Sequence, residues 1–182
     1  GRTGSFFACE QAGIWPDMLC LSKGITAGYL PLSLVMTTDM IYSAFYDTDI
    51  ARGFLHSHSY TGNPLACRAA LASLELFRLH DVINQNRIIS GKINLALESL
   101  KQHSCVRHFR NRGMIWAFDA VMTPEKQATF PRRFFETALK HELLMRPIGN
   151  TVYLMPPYIL NDTDIEQLTE KTITVFNEVI QA

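Results

Sequence analysis

The sequence predicts an α/β chain in two parts. Short apolar runs bounded by proline, glycine or aspartate alternate with helical apolar spacing through residues 1–80. A long helical pattern then leads into strands and helices typical of a small α+β unit over 81–182. Composition agrees, since 47% of the 182 residues are hydrophobic and 19% charged, enough to bury a sizeable core in one or two compact units. The 17 basic and 17 acidic side chains balance, which removes the basic field expected of a nucleic-acid binder and makes a small anionic metabolite the more natural partner.

The elements follow in order. Met18–Leu21 and Ser33–Thr37 read as short buried strands, with Lys23 in the turn between them. Asp39 to Phe45 reads as a helix and Tyr46–Gly53 as a polar loop. Asn63 caps a helix that starts at Pro64, where a missing N–H costs nothing, and runs to Leu79. Asp81 to Gln102 reads as one helix bridging the two parts, with Val82, Ile89, Ile93, Leu97 and Leu100 on one stripe. Strands are expected at Val106–Arg110, Met114–Val121, Leu143–Met145 and Thr151–Met155, with a helix at Pro131–His141 among them. Thr163 and Glu166 have the spacing of a capping box for the last helix, whose apolar side carries Ile165, Leu168, Val175, Phe176 and Val179.

The four cysteines, Cys9, Cys20, Cys67 and Cys105, are scattered without a C-x-x-C pair and read as reduced, packed residues. No apolar stretch has bilayer-spanning length and no signal-peptide pattern occurs, so a soluble, cytoplasmic chain without membrane or nucleic-acid partners is expected. His56 and His58 stand two apart with no carboxylate or cysteine nearby, which is a poor metal site; none is expected.

Lys23 is the residue with unusual surroundings. The other lysines lie among polar residues at helical spacing, whereas Lys23 ends an apolar run and enters a glycine-bearing turn, Leu21-Ser22-Lys23-Gly24. Such neighbours predict a partly desolvated amine, and desolvation disfavours the ammonium form. A neutral amine can condense with an aldehyde. The alternative for the same residues is a solvated strand end. Ser57-His58-Ser59-Tyr60-Thr61-Gly62-Asn63-Pro64 is rich in hydroxyls and leads into a helix N-terminus, an arrangement suited to a phosphate, though equally to an ordinary well-capped loop. Arg146, just before Pro147 and leaving a short strand, can offer its planar fork to a carboxylate, or can be a surface arginine at a strand end.

Gly1-Arg2-Thr3-Gly4, Leu21-Ser22-Lys23-Gly24, Tyr29-Leu30-Pro31-Leu32-Ser33 and the segment from His56 to Ala66 resemble class III, fold-type I aminotransferases that use pyridoxal 5'-phosphate. The resemblance covers nearly the whole chain. It implies that Lys23 is the catalytic, cofactor-bearing lysine, that Ser59 stands where the family's threonine reaches the cofactor phosphate across a homodimer interface, and that His58 offers its backbone beside it. Ser59 keeps the hydroxyl and loses only the methyl that stiffens the rotamer. Ser57 is then next to substrate.

Arg146-Pro147-Ile148-Gly149-Asn150-Thr151-Val152-Tyr153-Leu154-Met155-Pro156-Pro157-Tyr158-Ile159 is similar to the branch of that family that works in biotin synthesis. That likeness implies 8-amino-7-oxononanoate as amino acceptor, S-adenosylmethionine rather than lysine as donor, Arg146 on the acceptor carboxylate and Tyr153 near the same pocket. For Arg2 a structural role and a substrate contact are both implied. Residues 1–80 are then the C-terminal part of a large cofactor-binding domain and 81–182 a small C-terminal domain. The chain opens without methionine inside a G-F-G-R-T-G phrase, so it is expected to be a portion of a longer polypeptide, inactive by itself. Another ω-aminotransferase or aminomutase of the same family, or a non-catalytic assembly module, are the other readings.

Overall fold

The computed structural model describes residues 1–181 and divides them into two compact units, Cys9–Val82 and a second made of Gly1–Ala8 with the described chain from Ile83 onward. Residues 1–8 thus group with the C-terminal portion of the chain.

In the unit Cys9–Val82 the elements are α1 (Ala8–Ala12), β1 (Met18–Leu21), a 3₁₀ turn (Lys23–Thr26), β2 (Leu34–Thr37), α2 (Asp39–Phe45), a second 3₁₀ turn (Ile50–Arg52) and α3 (Pro64–Leu79). β1 and β2 pair antiparallel, Met18 opposite Thr37 and Leu21 opposite Leu34. Both strands were expected to be buried, and neither is: Val35 is 66% and Met36 53% exposed. An apolar run records a tendency towards burial but not which element covers it. α3 starts where Pro64 and Asn63 predict, because the Asn63 side-chain oxygen accepts from Leu65 N–H at 3.0 Å and Ala66 N–H at 3.4 Å. The polar loop 46–53 contains the Ile50–Arg52 turn, capped by Asp49 and bracketed by an Arg52–Asp47 ion pair of 2.6 Å.

The other unit holds α4 (Val82–Ala96), α5 (Glu98–Lys101), β3 (Val106–Arg112), β4 (Ile115–Ala120), α6 (Pro124–Gln127), α7 (Phe130–Lys140), β5 (Thr151–Leu154) and α8 (Asp162–Gln181). The single helix expected over 81–102 is broken at Leu97 into α4 and α5, although the stripe survives, with Ile93, Leu97 and Leu100 all buried. The three strands form an antiparallel sheet in the order β3-β4-β5. Along β4 burial alternates, so Trp116, Phe118 and Ala120 face the core while Ile115, Ala117 and Asp119 face outward. The core joins these to Phe130 and Phe134 of α7 and to Val175, Phe176 and Val179 of α8. Trp116 keeps its N–H satisfied by Asn94 of α4 at 2.7 Å.

Two expectations are corrected here. Leu143–Met145 is not a strand: Glu142 turns left-handed (φ 59°) and the Leu143 N–H bonds back to Ala138 at 2.8 Å, so the segment closes the end of α7 instead of joining the sheet. The capping box of α8 lies two residues before the expected one. Asn161 N–H donates to the Asp164 carboxylate at 3.0 Å and Asp164 N–H to the Asn161 side chain at 2.9 Å, which leaves Thr163 and Glu166 inside the helix.

Candidate functional site

Lys23 opens the 3₁₀ turn that follows β1, with a left-handed backbone (φ 52°). That region costs a non-glycine residue about 1–3 kcal/mol and persists only where the surroundings enforce it. Here they do. Thr26, buried, donates its hydroxyl to Leu30 C=O at 2.6 Å, and Ser73 of α3 reaches Gly24 C=O at 3.5 Å, so the turn is fastened from below. The amine itself is not desolvated as expected: Lys23 is exposed and forms no side-chain hydrogen bond or ion pair among the described residues. Its apolar sequence neighbours Leu21 and Ile25 are only half-buried and do not enclose it.

The hydroxyl-rich loop lies in the same unit. Thr61 accepts from His58 N–H at 3.1 Å through its side chain and donates its own N–H to His58 C=O at 2.9 Å, while His58 Nδ1 accepts from Tyr60 N–H at 3.1 Å. His58 therefore spends its backbone N–H inside the loop, and the backbone offer expected of it is taken up by Thr61. The α3 N-terminus is also closed, since Asn63 takes the N–H groups of Leu65 and Ala66 and its C=O takes that of Cys67 at 3.0 Å. What stays open is the pair of hydroxyls on Ser57 and Ser59, both exposed and unpartnered among the described residues.

In the other unit Arg146 is exposed, outside any helix or strand just before Pro147, with no ion pair among the described residues. Tyr153 sits on β5 opposite Ala117, on the outward face that also carries Thr151 and Asp119. Arg2 belongs to this unit as well, and its guanidinium is engaged: Nη1 donates to Pro156 C=O at 2.5 Å and the group lies 4.5 Å from the Tyr158 ring centroid. Of the two roles implied for Arg2, the structural one is occupied. Burial pushes the Tyr158 phenol above its ordinary pKa, and the Arg2 charge offsets part of that rise.

Sequence reasoning did not single out the outward cluster centred on Asp119. Burial alone would raise this carboxyl, but hydrogen bonds from His108 (2.9 Å) and Thr151 (2.8 Å) and the nearby Arg110 guanidinium (3.3 Å) hold it below the ordinary carboxylate value. His108 is left-handed (φ 50°) at a bulge between Arg107 and Arg110, which no local sequence signal announces. Among the described residues no group of three or more histidine, cysteine, aspartate or glutamate side chains is placed to hold a metal, and no helix is long and apolar enough to cross a membrane.

The family model for aminotransferase class-III matches residues 1–176. The chain is 43% identical over 184 residues to an adenosylmethionine-8-amino-7-oxononanoate aminotransferase of Helicobacter pylori, aligning 98% of this chain with 42% of that protein, and 40% identical to one of Synechococcus elongatus with the same two shares. It thus spans about 42% of the length of these two relatives. A crystal structure of such an enzyme from Methanocaldococcus jannaschii superposes with a TM-score of 0.86 at 35% identity, over 98% of this chain and 43% of that one. An amine transaminase from an uncultivated Pseudomonas species, solved in its PLP-bound form, gives 0.85 at 29% identity, over 98% and 42%. The chain belongs to the class-III aminotransferases and has the fold of part of a fold-type I enzyme.

Proposed function

We propose that the chain supplies the lysine-bearing turn and the C-terminal portion of a pyridoxal-phosphate-dependent aminotransferase that aminates 8-amino-7-oxononanoate, with S-adenosylmethionine as donor, in the cytoplasm. The observation that carries this is Lys23: an amine with no side-chain partner among the described residues, at the head of a strained turn that Thr26 and Ser73 hold in place. The residues present fit the cofactor. The Lys23 amine suits its aldehyde, and the Ser59 hydroxyl, exposed and unpartnered among the described residues, suits a phosphate oxygen. The names of the Helicobacter pylori and Synechococcus elongatus relatives support the choice of acceptor and donor.

When bound, pyridoxal phosphate supplies an electron-withdrawing ring that stabilises charge at the donor carbon. The chain's own residues do the rest. Lys23 would hold the cofactor through its Nζ and, once released, would take the proton from the donor carbon as general base and deliver it to the cofactor as general acid. Ser59 would donate its hydroxyl to the cofactor phosphate across a homodimer interface, and Ser57 would lie beside the substrate. Arg146 pairs with the acceptor carboxylate, with Tyr153 along the same pocket. The remainder of the cofactor site comes from the longer polypeptide, so the 182-residue chain alone is expected to show no turnover.

The test is the longer polypeptide assayed with 8-amino-7-oxononanoate and either S-adenosylmethionine or lysine, alongside its Lys23→Ala variant. Formation of 7,8-diaminononanoate with S-adenosylmethionine, lost together with the lysine-bound cofactor's visible absorbance in Lys23→Ala, is the expected result. Turnover that survives Lys23→Ala, or that favours unrelated amine acceptors, overturns the assignment; the latter outcome points to another ω-aminotransferase of the family.

A further inference from the structure

Arg146 is exposed and has no side-chain hydrogen bond or ion pair among the described residues, so its aim comes from the main chain on either side. On one side Met145 is buried, and its sulfur accepts from the buried Thr172 hydroxyl of α8 at 3.6 Å. Pro147 then fixes its own φ and keeps Arg146 out of the helical region. On the other side the chain reverses through Gly149 (φ 59°) and Asn150, with Ile148 and Thr151 exchanging N–H···O bonds of 2.9 and 3.0 Å. Such a two-residue turn would be a free tip, were it not fastened to the end of β4. Asn150 C=O accepts from Ala120 N–H at 2.8 Å, Asn150 Nδ2 donates to Ala120 C=O at 3.1 Å, and Thr151 donates its hydroxyl to Asp119 at 2.8 Å.

We infer that Asn150 is a positioning residue, whose side-chain amide fixes the Gly149–Asn150 turn and thereby aims Arg146 at the carboxylate of the amino acceptor. Any residue could supply the main-chain bond to Ala120. Only a side-chain donor of this length adds the second, which turns one hinge point into a two-point joint. Asn150 is not among the residues with positive φ, so the backbone gives no separate reason for asparagine here. The inference rests on the proposed reading in which Arg146 binds that carboxylate.

The experiment compares Asn150→Ala, Arg146→Ala and the double variant in the cofactor-loaded longer polypeptide. Nonanoate binding is measured by calorimetry, and KM and kcat are measured for the keto-acid acceptor and for pentanal, which lacks a carboxylate. Asn150→Ala is expected to weaken nonanoate binding roughly three- to tenfold, as loss of one neutral hydrogen bond allows, and to raise KM for the keto acid more than for pentanal. Arg146→Ala is expected to lose about tenfold to a hundredfold, with the double variant no worse, because Asn150 acts only through Arg146. Equal damage towards both acceptors, or an Asn150→Ala effect that adds in full to that of Arg146→Ala, overturns the inference while leaving the carboxylate role of Arg146 intact. Unchanged nonanoate binding in Arg146→Ala instead removes that role, and the inference with it, whether or not the polypeptide still transaminates.

Discussion

Arg2 is bound to Tyr158 across nearly the whole length of the chain, its guanidinium carbon 4.5 Å from the ring centroid while Nη1 donates to Pro156 C=O. The Arg2 main chain accepts from Met114 N–H at 2.9 Å, so one residue joins the start of the chain to the β3–β4 turn and to the segment after β5. That segment follows directly from the strand bearing Tyr153.

Arg2→Met keeps the stem and removes both the donor and the charge. The Pro156 carbonyl then loses a charged partner and the cation–π contact goes, so urea denaturation should show a loss of about 1.5–3 kcal/mol. The Tyr158 phenol should titrate higher than in the parent, because burial pushes it up and Arg2 is what pulls it down. A phenol that titrates lower in Arg2→Met would contradict the contact.

Gly113 lies against the first residues of the chain. It is left-handed (φ 57°), and a Cβ there would stand 2.3 Å from Gly4 N and Thr3 C, both main-chain atoms that cannot swing aside. Gly113→Ala is therefore expected to displace Arg2–Gly4, at a cost of about 1–3 kcal/mol. Amide hydrogen exchange should report it, with Met114 losing the protection that Arg2 C=O provides.

Local signals carried much of the fold. β1, α2 and α3 have the bounds that their residues announce, since proline at the first helical position, an asparagine cap and an apolar run each act within a few residues. Signals that depend on distant partners did not carry. Asn161/Asp164 and Thr163/Glu166 both have cap spacing, and the choice between them turns on where the preceding chain arrives. The helix break at Leu97 and the closing of α7 by Leu143 arise from packing that periodicity does not encode. For the site, Lys23 is placed in the turn after β1 as expected, but its exposure could not be read from apolar neighbours in sequence, because these do not surround it in space.

Asn63 closes the helix that follows the hydroxyl loop, and Asn63→Ala should cost about 1 kcal/mol by leaving Leu65 and Ala66 N–H without their acceptor. Thermal unfolding reads the loss, and faster exchange at those two amides reads its cause. Because the same change opens two donors at the α3 N-terminus, inorganic phosphate should protect Asn63→Ala against unfolding more than it protects the parent.

Asp119 gives the molecule an acid limb of known sign. Its folded-state pKa is lowered: burial works against the charge, and the His108, Thr151 and Arg110 contacts outweigh it. A depressed carboxyl contributes stability that is present above its unfolded value, about 3.9, and is lost as pH falls through the lower folded one. Asp119→Asn should therefore be less stable than the parent near neutral pH, and the difference between the two should narrow as the pH falls below about 4. Urea midpoints measured from neutral to strongly acidic pH test this, and a gap that stays constant across that range would remove Asp119 from the titrating groups that hold β4 to β3 and β5.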